Sequence, residues 1–299
     1  MSAGAAAAPR RRRFAQVDVF GAAPYMGNAL AVVIDGDGLD DEAMQRIARW
    51  TQLSETTFLL PPTPEAAAHG ADYRVRIWTP GGELPFAGHP TLGSCHAWLE
   101  AGGVPRGDGA TVVQECAVGL VRLRRGDADA GAGPARWAFE APPLKRSAPD
   151  AGLLRQVLAA LGADASAPRA AQWLDNGPRW LGLLFDRADT VLALDPDHAA
   201  LKALDAKVGA VGPHAAGGEC AFEVRAFAAP IGINEDPVTG SLNASLGQWL
   251  IGDGLAPGRY VAAQGTRLGR AGRVFVERIA GAVWVGGGSV TCVEGTLTA

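Results

Sequence analysis

The sequence predicts a mixed α+β fold of two pseudo-symmetric halves, each a curled sheet around one central helix. Three observations lead there. The chain has 299 residues, enough for two domains of about 150 residues each. Strand-like stretches outnumber helical ones in both halves, which argues against a doubly wound parallel sheet. And one apolar segment occurs twice: His-Pro-Thr-Leu-Gly-Ser-Cys-His-Ala-Trp-Leu from His89, and Asp-Pro-Val-Thr-Gly-Ser-Leu-Asn-Ala-Ser-Leu from Asp236. Aligned without gaps, Pro90 falls on Pro237, Gly93 on Gly240, Ser94 on Ser241, Ala97 on Ala244 and Leu99 on Leu246. Each copy opens with a proton-handling residue before a proline, and proline suits a first helical turn. The free N–H groups and dipole of such a helix end attract anions. Two of them, one per half, imply a small acidic molecule held in a cleft.

The elements follow in order. Residues 14–20 alternate, with Ala15, Val17 and Val19 on one face, and read as a half-buried strand. A Gly/Pro-rich loop over 21–28 leads to a short apolar strand over 29–34. Asp40 is placed to cap a helix with Met44, Ile47, Ala48 and Thr51 inward. Over 53–58 the period changes from helix to strand. Tyr73, Val75 and Ile77 alternate with Arg74 and Arg76, and Gly81-Gly82 is a turn. The first repeat helix stops at Gly102-Gly103. Residues 111–124 read as two strands around Gly119, and small residues over 127–134 suit a domain boundary. The second half brings a strand over 137–140, a helix ending at Gly162, and strands over 180–185 and 221–227. The second repeat helix spans 237–251, and three strands over 274–277, 282–285 and 290–293 close the chain. This gives a flexible tail over 1–13, a first domain over 14–130 and a second over 131–299, with the last strand a candidate to pack on the first domain. Residues 21–26 and 209–218 read as loops on the pocket wall.

Composition narrows the function. A formal charge of −4 gives no electrostatic case for nucleic acid or a membrane surface as partner. No apolar run approaches the ~20 residues a membrane helix needs. The Ala-rich start and Arg10 to Arg13 lack the apolar region of a secretory signal. They read as a frayed tail, with a transit peptide or nucleic-acid arm as the alternative. The four cysteines, Cys95, Cys116, Cys220 and Cys292, form no CxxC pair, which suits a reducing cytoplasm and argues against zinc or a disulfide scaffold. The five histidines show no metal-binding spacing.

Glu55 is the sharpest candidate for chemistry. It lies at a helix-to-strand junction in an apolar context, which disfavours its charged form and moves its pKa towards neutrality. Spacing alone favours a carboxyl that merely caps or pairs at a strand end. His89 follows Gly88, which permits close backbone approach; the alternative is a satisfied helix-start histidine. Asp236 and Ser241, taken singly, fit a helix cap and a hydroxyl bonded to its own backbone. The repeat is what lifts His89, Asp236 and Ser241 above those readings. Gly27-Asn28 is a turn that also offers an amide to a carboxylate. Arg267, Arg270 and Arg273 fit a solvated hairpin better than a phosphate site. Gly286-Gly287-Gly288 precedes no helix and so fails as a dinucleotide fingerprint. No nucleophile elbow is present.

These residues resemble the PhzF-like isomerases of the diaminopimelate-epimerase-like fold. The resemblance rests on Gln16-Val17-Asp18-Val19-Phe20, Gly27-Asn28, Leu53-Ser54-Glu55-Thr56-Thr57, Phe86-Ala87-Gly88-His89-Pro90-Thr91 and Glu235-Asp236-Pro237-Val238-Thr239-Gly240-Ser241, in that order. It implies two β-barrel domains, each around a central helix, with the active site between them. It also implies no metal, no organic cofactor and a homodimer. Glu55 would be the general acid/base, His89 and Asp236 its catalytic partners, and Ser241, Gly88, Asn28 and Gly240 the substrate-binding set. The implied activity is a proton shift on a small unsaturated amino or hydroxy acid; the namesake acts on trans-2,3-dihydro-3-hydroxyanthranilate. The alternatives are a same-fold isomerase or epimerase acting on another metabolite, and an idle ligand-binding dimer. Related epimerases use two cysteines at the helix starts. Here those places hold His89 and Asp236, so a two-thiol racemase is not expected.

Overall fold

In the computed structural model, which describes residues 9–107, 109–126, 136–163 and 168–299, two curled sheets share one long strand. The strand Arg11–Val19 pairs with Asn28–Val33 on one side and with the final strand, Ala282–Thr298, on the other. From Asn28–Val33 the ring continues through Thr56–Leu60, Tyr73–Thr79, Thr111–Cys116, Gly119–Arg125 and Arg136–Glu140. The last of these returns to the final strand, with Glu140 opposite Trp284, and the barrel closes.

The final strand also pairs with Gly272–Ile279 and so begins the second sheet. That sheet runs through Arg259–Gln264, Phe222–Ala228, Val208–Pro213, Arg179–Leu184, Ala170–Asp175 and Lys145–Ser147. Each half contains a parallel pair joined through helices. In the first, Asn28–Val33 reaches Thr56–Leu60 by way of the helix Asp41–Thr51. In the second, Arg179–Leu184 reaches Val208–Pro213 by way of two short helices.

A central helix fills each curl: Gly88–Glu100 in the first and Gly240–Gly252 in the second. Both are buried on nearly every side, and both are apolar all round, as an enclosed helix must be. The local signals act where expected. Asp40 accepts a hydrogen bond from the Ala43 amide at 2.8 Å and caps its helix. Gly102, at φ +94°, ends the first central helix.

Four expectations need correction. The first strand starts at Arg11, inside the supposed tail over 1–13. Arg11 to Arg13 pair with Thr298 to Thr296, and the buried Arg12 guanidinium donates to the carbonyls of Asp35, Asp37 and Ala299. Charge masked the alternation there. The final strand is continuous across Gly286-Gly287-Gly288 rather than broken. Those glycines allow close crossing: a Cβ on Gly286 would meet the Trp137 carbonyl oxygen at 2.6 Å, and one on Gly287 would meet Phe20 at 2.4 Å. Residues 208–213, which looked like loop, form a strand whose Gly209 lies against Leu242 of the second central helix. The boundary placed at 127–134 lies outside the described residues.

The fourth correction concerns the repeat. The first central helix begins at Gly88, just before His89, but the second begins at Gly240, four residues after Asp236. Pro237 therefore lies ahead of its helix, and the gapless alignment is out of register with the structure. The helix starts match Gly88 to Gly240 instead, and these two glycines meet. A Cβ built on Gly240 would lie 2.9 Å from the Gly88 Cα and 3.1 Å from the His89 nitrogen. Both obstacles are backbone, so neither can swing away. Gly240→Ala is expected to cost about 1–3 kcal/mol and most of the turnover by prising the helix ends apart. Gly258→Ala, with nothing within 4 Å of the new methyl, is the control. Thermal unfolding of both variants checks this; equal melting temperatures would contradict it.

Candidate active site

The paired helix starts open into one cavity of about 430 Å³. Its wall includes Glu55, Gly88, His89, Asp236, Gly240 and Ser241. Six of the seven residues expected from sequence thus come together from both halves. The seventh, Asn28, is not on the wall: its Nδ2 donates to Asp236 Oδ1 at 2.8 Å and to the Val238 carbonyl at 2.9 Å. It braces the second half from the first.

Neither central helix has a side-chain cap. Gly88 and His89 of the first helix start and Gly240 and Ser241 of the second line the cavity, the setting of an anion site at helix N-termini. Glu55 ends the turn before the strand Thr56–Leu60, and its side chain is 13% exposed. Its Oε2 lies 3.3 Å from His89 Nε2, yet neither atom has a well-aligned hydrogen bond. Burial, and then the nearby Asp236 charge, push the Glu55 pKa up to about 8. Burial pushes His89 down to about 3, against a hydrogen bond to the Ala29 backbone. His89 is thus a neutral imidazole near pH 7. With Nε2 unpartnered, the bond to Ala29 falls to Nδ1, and Nε2 presents a lone pair to Glu55. That tautomer is assigned from the hydrogen-bond pattern.

Asp236 ends the strand Ile233–Asp236. Burial raises its pKa to about 6, while hydrogen bonds from Thr239 and Asn28 hold it down. Thr239 Oγ1 donates to Asp236 Oδ2 at 2.6 Å. Behind it stands Gln264, fully buried. Its Nε2 donates to Thr239 Oγ1 and to the Asp236 carbonyl, and its Oε1 accepts from the Thr239 amide and from Asn243. All four of its hydrogen-bonding positions are used. The preceding residue, Glu235, forms a buried two-point pair with Arg225, which also holds the Val191 and Leu194 carbonyls. The Asp236 carboxylate is thereby held at both oxygens, by Asn28 and Thr239, and its backbone by Gln264.

Ser241 Oγ accepts from Trp180 Nε1 at 3.3 Å, and the Ser241 carbonyl accepts from Asn176 Nδ2 at 3.0 Å. Asn176, Trp180, Thr239, Gln264 and the wall residue Lys207 escaped the sequence reading. Thr239 lies inside the motif from Glu235 to Ser241, which assigns it no role; the others are scattered over strands and turns with no motif, and Trp180 carries only the signature of a core residue.

The other sequence candidates lie elsewhere. Arg270 donates to the Tyr25 carbonyl and Arg273 pairs with Glu219. Cys95 and Cys220 are buried with raised pKa values and are not on the cavity wall. Among the described residues, no group of three or more His, Cys, Asp or Glu is placed to hold a metal ion, and no helix is long and apolar enough to cross a membrane. A second groove, of about 470 Å³, is lined by Arg124, His214 and Trp284 among others. It contains none of the expected site residues.

The profile of the PhzC-PhzF family, described as phenazine biosynthesis-like protein, matches residues 17–295. The chain is 37% identical over 297 residues to antisense-enhancing sequence 1 of Schizosaccharomyces pombe, covering 94% of this chain and 97% of the relative. It is 34% identical over 290 residues to trans-2,3-dihydro-3-hydroxyanthranilate isomerase of Pseudomonas fluorescens, over 94% and 97% of the two chains. The crystal structure of the Bacillus anthracis phenazine biosynthesis protein of the PhzF family shares the fold, with a TM-score of 0.82 at 21% identity over 96% and 99% of the chains. Fold and relatives together define an enzyme of the isomerase class built from two curled-sheet domains. The chain belongs to the PhzC-PhzF, or phenazine biosynthesis-like, family.

The raised Glu55 pKa has a consequence for stability. A folded value near 8 against an ordinary 4.5 means the native state holds the Glu55 proton more tightly. That stability is present below pH 4.5 and is lost as pH rises through 8. At about 1.4 kcal/mol per unit, the ionised form costs several kcal/mol. Glu55→Gln should melt close to wild type at pH 5 and clearly above it at pH 9. An offset that does not change with pH would refute the assignment.

Proposed function

We propose that the chain is an isomerase that moves a proton between carbons of a small unsaturated amino or hydroxy acid, with Glu55 taking and returning it. One observation carries this reading: a nearly buried carboxyl, with an unpartnered oxygen, faces a cavity between two uncapped helix N-termini. The amides of Gly88, Gly240 and Ser241 would hold the substrate carboxylate. His89 and Asp236 would orient the substrate and set the charge of Glu55.

The two carboxyls titrate as a pair, with values of about 6 and 8. Near neutrality they hold one proton. Asp236 keeps the charge, because Asn28 and Thr239 donate to both of its oxygens. Glu55 keeps the proton. Its ionised fraction is the base that attacks the carbon acid. Once protonated, it delivers the proton to the second carbon and is regenerated. A value near working pH serves both halves of such a transfer.

The P. fluorescens relative supports trans-2,3-dihydro-3-hydroxyanthranilate as the substrate to test, and with it a place in phenazine biosynthesis. Proton NMR in D₂O should show isomerisation with deuterium uptake by wild type and none by Glu55→Gln. Near-normal turnover by that variant would end the proposal. The half-buried Lys207 on the cavity wall, for which the anthranilate offers no second anion, favours a second reading in which the same apparatus acts on a different small acid. Deuterium uptake into another unsaturated acid, with none into the anthranilate, would select it. A homodimer in the cytoplasm completes the proposal, from the family resemblance and four cysteines that form no disulfide.

The pH profile follows from the signs. Because Glu55 must be ionised to act, kcat/KM rises with pH through about 8. Removing the Asp236 charge in Asp236→Asn takes away one of the two causes that raise Glu55. The rising limb of the residual activity should therefore shift towards acid. A limb that stays in place, or moves towards base, would contradict the coupling.

A further inference from the structure

One charged group on the cavity wall takes no part in the proton transfer. Lys207 lies between the helix His198–Ala203 and the strand Val208–Pro213 and lines the cavity with Asn176 and Trp180. Among the described lining residues it is the one cation, since His89 is neutral. Its side chain is half-buried, and Nζ sits 5.2 Å from the centroid of the Trp180 ring. No hydrogen bond or ion pair from Nζ occurs among the described residues. Burial pushes its pKa down, and the charges of Asp175 and Asp205 oppose that. Trp180 in turn donates to Ser241 at the start of the second central helix. One rigid ring thus separates the ammonium from the helix amides.

A half-buried ammonium that meets Asp175 and Asp205 only at a distance, with no hydrogen bond or ion pair of its own among the described residues, gains from an anion arriving in the cavity. Nothing in the acid–base chemistry of Glu55, His89 and Asp236 requires it. We propose that Lys207 binds a second anionic group of the substrate, so that the site selects small unsaturated acids carrying two anions over those carrying one. The inference rests on the reading above in one respect, that the helix N-termini hold the first carboxylate, and it favours the second substrate reading, because the anthranilate carries a single carboxylate. The second anion is a carboxylate or a phosphoryl group. Either would accept charge-assisted hydrogen bonds from Nζ, while the Trp180 face sets its distance from Ser241.

Three probes of one carbon skeleton separate the cases. trans-Glutaconate carries a distal carboxylate, 4-phosphonocrotonate a distal phosphonate, and trans-2-pentenoate a methyl group. Calorimetric titration of the full-length wild-type protein should show a dianion bound at least about ten-fold more tightly than 2-pentenoate, the expected size of one charge-assisted contact. The tighter of the two dianions identifies the group. Lys207→Met should abolish that preference while leaving 2-pentenoate binding unchanged, and Lys207→Arg should retain it. Glu55→Gln should also retain it, so loss of deuterium exchange and loss of the dianion preference report on different proposals. The inference is overturned if neither dianion outbinds 2-pentenoate, binding by none of the three included. It is equally overturned if Lys207→Met weakens all three probes alike.

Discussion

The site depends on the contact between Gly88 and Gly240. Two helices from opposite halves of the chain meet there, backbone against backbone, with no room for a methyl group on either side. Everything functional is arranged around that contact. It sets two helix starts on the wall of one cavity, and it brings Glu55 and His89 of the first half to the same wall as Asp236 of the second. Side chains can repack around a misfit, but peptide groups cannot, so the spacing of the two helix ends is rigid.

The electrostatics follow from this closure. Each group taken singly is unremarkable in type, and the cavity changes it. Burial and the Asp236 charge hold Glu55 protonated, burial holds His89 neutral, and hydrogen bonds from Thr239 and Asn28 keep Asp236 charged against its own burial. The hydrogen bonds to Asp236 run through Thr239 to Gln264, which makes no hydrogen bond to the other candidate site residues. The carboxylate that acts across the interface is thus anchored deep in its own half. Glu55 has no comparable anchor: its Oε2 makes no well-aligned hydrogen bond and lies against His89 Nε2.

The shared final strand is the second structural constraint. Seventeen residues, Ala282–Thr298, close the first barrel and open the second sheet. The same strand ties the chain end to the start, where Arg10 and Ala299 exchange backbone hydrogen bonds. A sequence scan breaks it at Gly286-Gly287-Gly288, because three glycines ordinarily mark a loop. The structure uses them for the opposite purpose, to let Trp137 and Phe20 approach an unbroken strand.

Much was legible in the residues themselves. The period of each apolar stretch, the Asp40 cap, the helix stop at Gly102 and the all-round apolarity of the central helices are local facts, read without knowing what lies opposite. So were Glu55, His89, Asp236 and Ser241, as residue types suited to proton transfer and anion binding. The gapless repeat found the right helices but paired His89 with Asp236, where the structure pairs Gly88 with Gly240. Only the tertiary structure could decide that register, the bracing role of Asn28, and the presence of Gln264 and Lys207. Chain proximity carries no information about which backbones meet across a closed barrel. The charge state of a carboxyl is likewise set by neighbours that arrive from the other half of the chain.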